Sequence, residues 1–209
     1  MQLIEPQRWV DLLQTMNSRV SSSQNIFHIT SALADVVVFL FPLFLVIVYI
    51  AGMKKRSDTR REYALRIMSS AVVAAVINIG LQFFIQKARP ETVLEWAQRL
   101  VLKHLPTMSF PSDHAAVGMA FGLAVYSFSA IFLLNNTKKT FSYRWVFFII
   151  AWVVMSLARV GVGIHWPTDI LAGRLVWVLA TLIVHYIPSQ FYTRIIWLEK
   201  KIFGIFSKN

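Results

Sequence analysis

Seven side chains in three short stretches could do chemistry in this sequence. Arg89 lies in QKARP (86–90), Ser112, Asp113 and His114 in SFPSDHA (109–115), and Arg159, His165 and Asp169 in ARVGVGIHWPTD (158–169). Arginine offers a planar fork that matches phosphate oxygens in pairs. Ser112 follows Pro111 and precedes an apolar run of helical length, so it is expected to cap a helix whose free amides at Asp113 and His114 attract phosphate. His165 and Asp169 are four residues apart, with Pro167 placed to begin a helix between them. A carboxylate one turn away can fix one imidazole nitrogen and leave the other as nucleophile or base. One histidine can then attack phosphorus while the other protonates the leaving oxygen. No second carboxylate lies close enough in sequence for a magnesium cage, and the histidines lack metal-ligand spacing. The site therefore reads as independent of metal and of any other cofactor.

The elements that must position these groups are membrane helices. Hydrophobic residues make up 56% of the 209 and aromatic residues 14%, and the mean hydropathy is +0.57, more apolar than a soluble globule of that size. Stretches at about 31–52, 64–86, 113–134, 144–161 and 168–187 are each long enough to cross about 30 Å of hydrocarbon. The expected fold is an all-α integral membrane protein: a bundle of about five transmembrane helices with an N-terminal interfacial helix and a C-terminal amphipathic tail. It forms a single domain, with 1–29 interfacial, 30–187 the transmembrane core and 188–209 a basic cytoplasmic tail. The first 29 residues lack the features of a cleaved signal peptide, so the first span is expected to act as the insertion signal.

The net charge is +11, concentrated in connections between apolar runs. Lys54, Lys55, Arg56, Arg60, Arg61 and Arg66 lie between the first two spans, Lys138, Lys139 and Arg144 between the third and fourth, and Arg194, Lys200, Lys201 and Lys208 in the tail. Such clusters belong on the cytoplasmic side and face anionic lipid, not nucleic acid. That orientation brings all three reactive stretches to one surface, the outer one. Membrane lipids are the expected surroundings; the residues imply no protein partner. The absence of cysteine excludes disulfides and thiolate metal sites.

Several further residues carry expectations. Asp35 and Arg174 sit at similar depths in the first and fifth spans and are expected to pair, since isolated charges there are costly. Asn78 and Gln82 share a face of the second span and line the floor of the site or bond between helices. Gly161 and Gly163 allow a tight turn before His165, and Gly118 with Gly122 allows close helix packing.

The three stretches resemble the type-2 phosphatidic-acid phosphatase superfamily of membrane lipid phosphatases. Its pattern is Lys, six residues, Arg-Pro; then Pro-Ser-Gly-His; then Ser-Arg, five residues, His, three residues, Asp. Arg89-Pro90, Pro111-Ser112-Asp113-His114, and Arg159, His165 and Asp169 match in order and spacing. Gln82 stands at the family lysine, with Lys87 near enough to substitute, while Asp113 replaces the glycine and Ala158 the serine. FPSDHA, the missing lysine and Asn78 are most similar to the branch that hydrolyses undecaprenyl diphosphate in bacterial cell-wall synthesis. The resemblance implies that His165 is the nucleophile, forming a phosphohistidine, that Asp169 orients it, and that His114 protonates the leaving group and then activates water. It further implies that Arg89, Ser112 and Arg159 hold phosphoryl oxygens, assisted by the Asp113 and His114 amides. The implied substrate is a polyprenyl or other lipid phosphate at the outer face of the bacterial inner membrane. Phosphatidylglycerophosphate, phosphatidic acid and lipid A 1-phosphate remain open as substrates. So does an inactive scaffold or a transporter on the same fold, although the reactive residues are retained and no repeated halves are seen.

Overall fold

A computed structural model describes residues 5–97, 108–118 and 144–206. Every regular element among them is a helix. Helix α1 (Gln7–Ser21) leads into α2 (Gln24–Val36), which continues through one 3₁₀ turn (Val37–Phe39) into α3 (Leu40–Lys54). Helix α4 spans Asp58–Phe84, α5 is a single turn at Pro90–Val93, and α6 occupies 113–118. Helices α7 (Arg144–Gly161), α8 (Pro167–His185) and α9 (Ser189–Phe206) complete the chain.

Three of these runs, Gln24–Lys54, Asp58–Phe84 and Pro167–His185, are long and apolar enough to cross a membrane, and α7 supplies a shorter apolar helix. The remainder of the expected third span, with Gly122, lies outside the described residues. The first span begins at Gln24, seven residues before the apolar run does, because Ser23 is extended and the polar residues after it still complete helical hydrogen bonds. At 1.5 Å per residue its 31 residues extend for about 46 Å, well beyond the hydrocarbon thickness. Large apolar side chains such as Phe39, Val76, Ile79, Phe83 and Leu175 point outward, as lipid-facing positions require.

Packing departs from expectation at both ends of the bundle. Helix α1 buries Leu13 and also Asn17, whose Nδ2 donates to the Gly161 carbonyl at 2.9 Å. The N-terminal segment is therefore docked on the end of α7 as well as being amphipathic. At the other end, α9 packs on α4 and buries Tyr192 and Ile196. Arg61, buried, donates to Glu199, which also accepts from Tyr49, while Lys200 bonds Asp58 at 2.7 Å. Arg66 bonds the Ile187 carbonyl at 3.1 Å and covers the Tyr192 ring at 4.5 Å. Two arginines of the basic loop thus hold the C-terminal helix.

Asp35 does not pair with Arg174. Helix α2 lies against α7, whereas α8 lies against α4, so Asp35 meets Arg159 at 3.0 Å. Arg174 is on the exposed face of α8 and stacks over Trp152 at 5.2 Å. Depth along two helices does not determine which helices are neighbours.

Replacing Arg61 with Met leaves the Glu199 carboxylate with Tyr49 but without its cationic partner, and breaking such a pair costs about 3 kcal/mol. The expected result is a lower thermal midpoint for the detergent-purified protein, with more than half of the loss recovered in the Arg61→Met/Glu199→Met double variant. An unchanged midpoint in the single variant contradicts the anchoring role.

Candidate active site

The three stretches meet at one end of the bundle. Arg159 ends α7, and a turn carries the chain through Gly163, at φ 81° in the left-handed region that favours glycine, to His165. Trp166 caps α8, Pro167 opens it, and the Asp169 carboxylate reaches back to accept the Trp166 amide at 2.9 Å. Ser112 precedes α6 and its Oγ accepts the Ala115 amide at 3.4 Å, so it caps that helix as expected. The Ser112 amide donates to the Asp169 carbonyl at 3.2 Å, which joins α6 to α8. Gly173 permits this approach: a Cβ there would lie 2.8 Å from the Ser112 carbonyl oxygen and 3.0 Å from the Ala115 Cβ. A Cβ on Gly118 would lie 2.7 Å from Met155 Cε, in keeping with its expected packing role. Gly161 packs against Val20.

His165 is buried and its two nitrogens have different partners. Nδ1 is 3.0 Å from the Ser109 carbonyl oxygen, which can only accept, so the proton is on Nδ1. Nε2 then presents a lone pair, with Arg159 Nη2 at 3.2 Å and Arg89 Nη1 at 3.4 Å. Two guanidinium groups thus converge on Nε2, the nitrogen whose lone pair could serve as a nucleophile. Arg159 spends its Nη1 on Asp35 and the Ala34 carbonyl, both at 3.0 Å, and Arg89 Nη1 also donates to the Ile164 carbonyl at 3.1 Å. Burial lowers the Arg89 pKa from its ordinary value, against the opposing pull of Glu91, Asp113 and Asp169. A bound anion would compensate that desolvation.

The expected direct bond from Asp169 to His165 is replaced by a longer connection. Asp169 Oδ2 is 3.6 Å from Nδ1, too far for a hydrogen bond. That oxygen instead accepts from the Ser109 hydroxyl and the Trp166 amide. Asp169 therefore holds Ser109, and the Ser109 main chain holds the imidazole. Ser109 lies inside one of the motif stretches, yet as a serine ahead of a proline it gave no sign that its carbonyl would be the acceptor.

At the positions that depart from the family pattern, Lys87 is engaged by protein groups. Its Nζ bonds Asp169 Oδ1 at 2.7 Å and Thr168 Oγ1 at 2.8 Å, and also Glu5. Gln82 Nε2 donates to Asp113 Oδ1 at 3.0 Å and to the Pro111 carbonyl at 3.2 Å. Asn78 Nδ2 bonds the same carboxylate and the same carbonyl, the latter at 3.1 Å. Gln82 and Asp113, the residues at the family's lysine and glycine positions, are thus partners. They secure the loop that carries Ser109 and Ser112. His114 follows in the first turn of α6, half-buried.

The model of the PAP2 superfamily matches residues 63–195, most of the chain and all three stretches. The chain belongs to the PAP2 superfamily. Among curated PAP2-like relatives, an undecaprenyl-diphosphatase of Sulfolobus acidocaldarius is 31% identical over 55% of this chain, a match spanning about half the relative's own length. The bacitracin transport permease protein BcrC of Bacillus licheniformis is 26% identical over 74% of this chain and 68% of its own. The crystal structure of Aquifex aeolicus LpxE superposes with a TM-score of 0.66 at 20% identity, over 88% of this chain and 98% of that one. This likeness shows that the two chains share a fold.

Gly173→Val would force a side chain into the Ser112 carbonyl and separate α6 from α8. Such overpacking costs about 1 to 3 kcal/mol, and the expected outcome is a lowered thermal midpoint together with weaker retention of a phosphate-like anion such as vanadate. Full retention of both would contradict the close approach described.

Proposed function

We propose that this PAP2 protein is a metal-independent lipid phosphatase that hydrolyses undecaprenyl diphosphate to undecaprenyl phosphate and inorganic phosphate through a phosphohistidine on His165. The observation that carries the reading is the convergence of Arg89 and Arg159 on His165 Nε2 while Nδ1 is held by Ser109. An arriving phosphoryl group takes those guanidinium donors through its oxygens and places phosphorus in front of the Nε2 lone pair.

In the first step Nε2 forms a bond to the terminal phosphorus and the bridging P–O bond breaks. His114 gives a proton to the departing undecaprenyl phosphate. In the second step water attacks phosphorus, His114 accepts its proton, and the N–P bond breaks to release phosphate and restore neutral His165. Arg89, Arg159, Ser112 and the Asp113 amide hold the phosphoryl oxygens in both steps. The positive connections support a site opening on the outer face of a bacterial cytoplasmic membrane. The diphosphate is favoured over phosphatidylglycerophosphate, phosphatidic acid and lipid A 1-phosphate by the name of the Sulfolobus relative.

The test is phosphate release by purified protein from each of these four lipids, in EDTA, for wild type and His165→Ala. Undecaprenyl diphosphate should be hydrolysed with the highest kcat/KM, EDTA should leave the rate unchanged, and His165→Ala should lose at least about 1,000-fold. Preference for another lipid overturns the substrate, inhibition by EDTA overturns metal independence, and activity in His165→Ala overturns the nucleophile.

A further inference from the structure

We infer that Lys87 is a positioning residue for the nucleophile, acting through Asp169, and that Glu5 from the N-terminal segment is its counter-charge. This rests on the reading of His165 as nucleophile. The Lys87 side chain is only 4% exposed although it belongs to a loop. An ammonium has three N–H donors, and three acceptors surround this one: Asp169 Oδ1, Thr168 Oγ1 and Glu5 Oε1. The Phe110 and Trp166 rings stand 5.6 and 5.7 Å from Nζ, within range of a cation–π contact. With every donor engaged, Lys87 has none left for a phosphoryl oxygen.

The contacts continue to the imidazole. Asp169, fixed at Oδ1 by Lys87, accepts the Ser109 hydroxyl at Oδ2, and the Ser109 carbonyl holds His165 Nδ1 at 3.0 Å. The Lys87 backbone grips the same residue, its carbonyl accepting the Ser109 amide at 2.8 Å. Lys87 therefore fixes Ser109 from two directions. The Glu5 side chain is 6% exposed and that of Asp169 fully buried. Without the ammonium, the two buried carboxylates that met on it are left beside each other, and like charges so placed cannot both stay ionised. If the proton settles on Asp169, it loses acceptor capacity where the Ser109 hydroxyl and the Trp166 amide need it. The imidazole is then held less firmly, while the arginines that meet phosphate are untouched.

The experiment is steady-state hydrolysis of the lipid diphosphate by the full chain, with inorganic phosphate as competitive inhibitor. Lys87→Met should lower kcat about 10- to 100-fold, the usual effect of losing a partner that orients a reacting group, with KM and phosphate inhibition within about twofold. The Lys87→Met/Glu5→Gln double variant, which removes the stranded carboxylate, should recover about tenfold in kcat. An unchanged kcat, a rise in KM with weaker phosphate inhibition, or a double variant no better than the single overturns the proposal. Should Lys87→Met not fold, Thr168→Val removes one acceptor of the same ammonium. It should lower kcat about threefold at unchanged KM, and no change in kcat, or a change in KM, overturns the proposal. His165→Ala is measured alongside. Activity there refutes the underlying reading, whereas an inactive His165→Ala with an unaffected Lys87→Met refutes only the role of Lys87.

Discussion

The active end of the molecule depends on the 3.0 Å contact between His165 Nδ1 and the carbonyl oxygen of Ser109. A carbonyl cannot donate, so this contact decides the tautomer and leaves the Nε2 lone pair directed at Arg89 and Arg159. A main-chain acceptor is a rigid choice, because it moves only if the loop moves. Much of the surrounding structure therefore acts on the loop: Asp169 and the Lys87 backbone hold Ser109, while Asn78 and Gln82 hold Pro111 and Asp113.

Buried charge is the second constraint. Arg159, Asp169 and Lys87 are almost fully enclosed, and unpaired charges so placed would cost several kcal/mol each. Asp35 of the first span neutralises Arg159 from one side, leaving Nη2 directed at His165. Glu5 and Asp169 both pair with the Lys87 ammonium. The N-terminal segment and first span thus provide counter-charges to a site whose motif residues all lie after residue 85.

This division explains what could be read in the sequence. The membrane helices were legible because lipid-facing and buried positions are alike apolar and form long runs. Arg89, Ser112, Arg159, His165 and Asp169 were legible because ionisable residues and a serine beside glycine and proline are conspicuous in such a chain, and the structure brings these five together. The counter-charges were not. Glu5 and Asp35 reach the site across more than 80 residues of chain, and depth along a span, which the sequence does give for Asp35 and Arg174, does not name a helix's neighbours. Ser109 acts through its main chain, which every residue possesses. The start of the first span at Gln24 was hidden because helical hydrogen bonds do not require apolar side chains.

The central claim is that His165 Nε2 attacks phosphorus. Acid-free quenching of the enzyme during turnover of undecaprenyl diphosphate carrying ³²P in its terminal phosphoryl group, followed by peptide mapping, tests it most directly. The expected result is an alkali-stable, acid-labile label confined to the peptide containing His165, formed and lost at rates that support turnover. Label on another residue, or turnover with no labelled protein and single-step inversion at phosphorus, would contradict it.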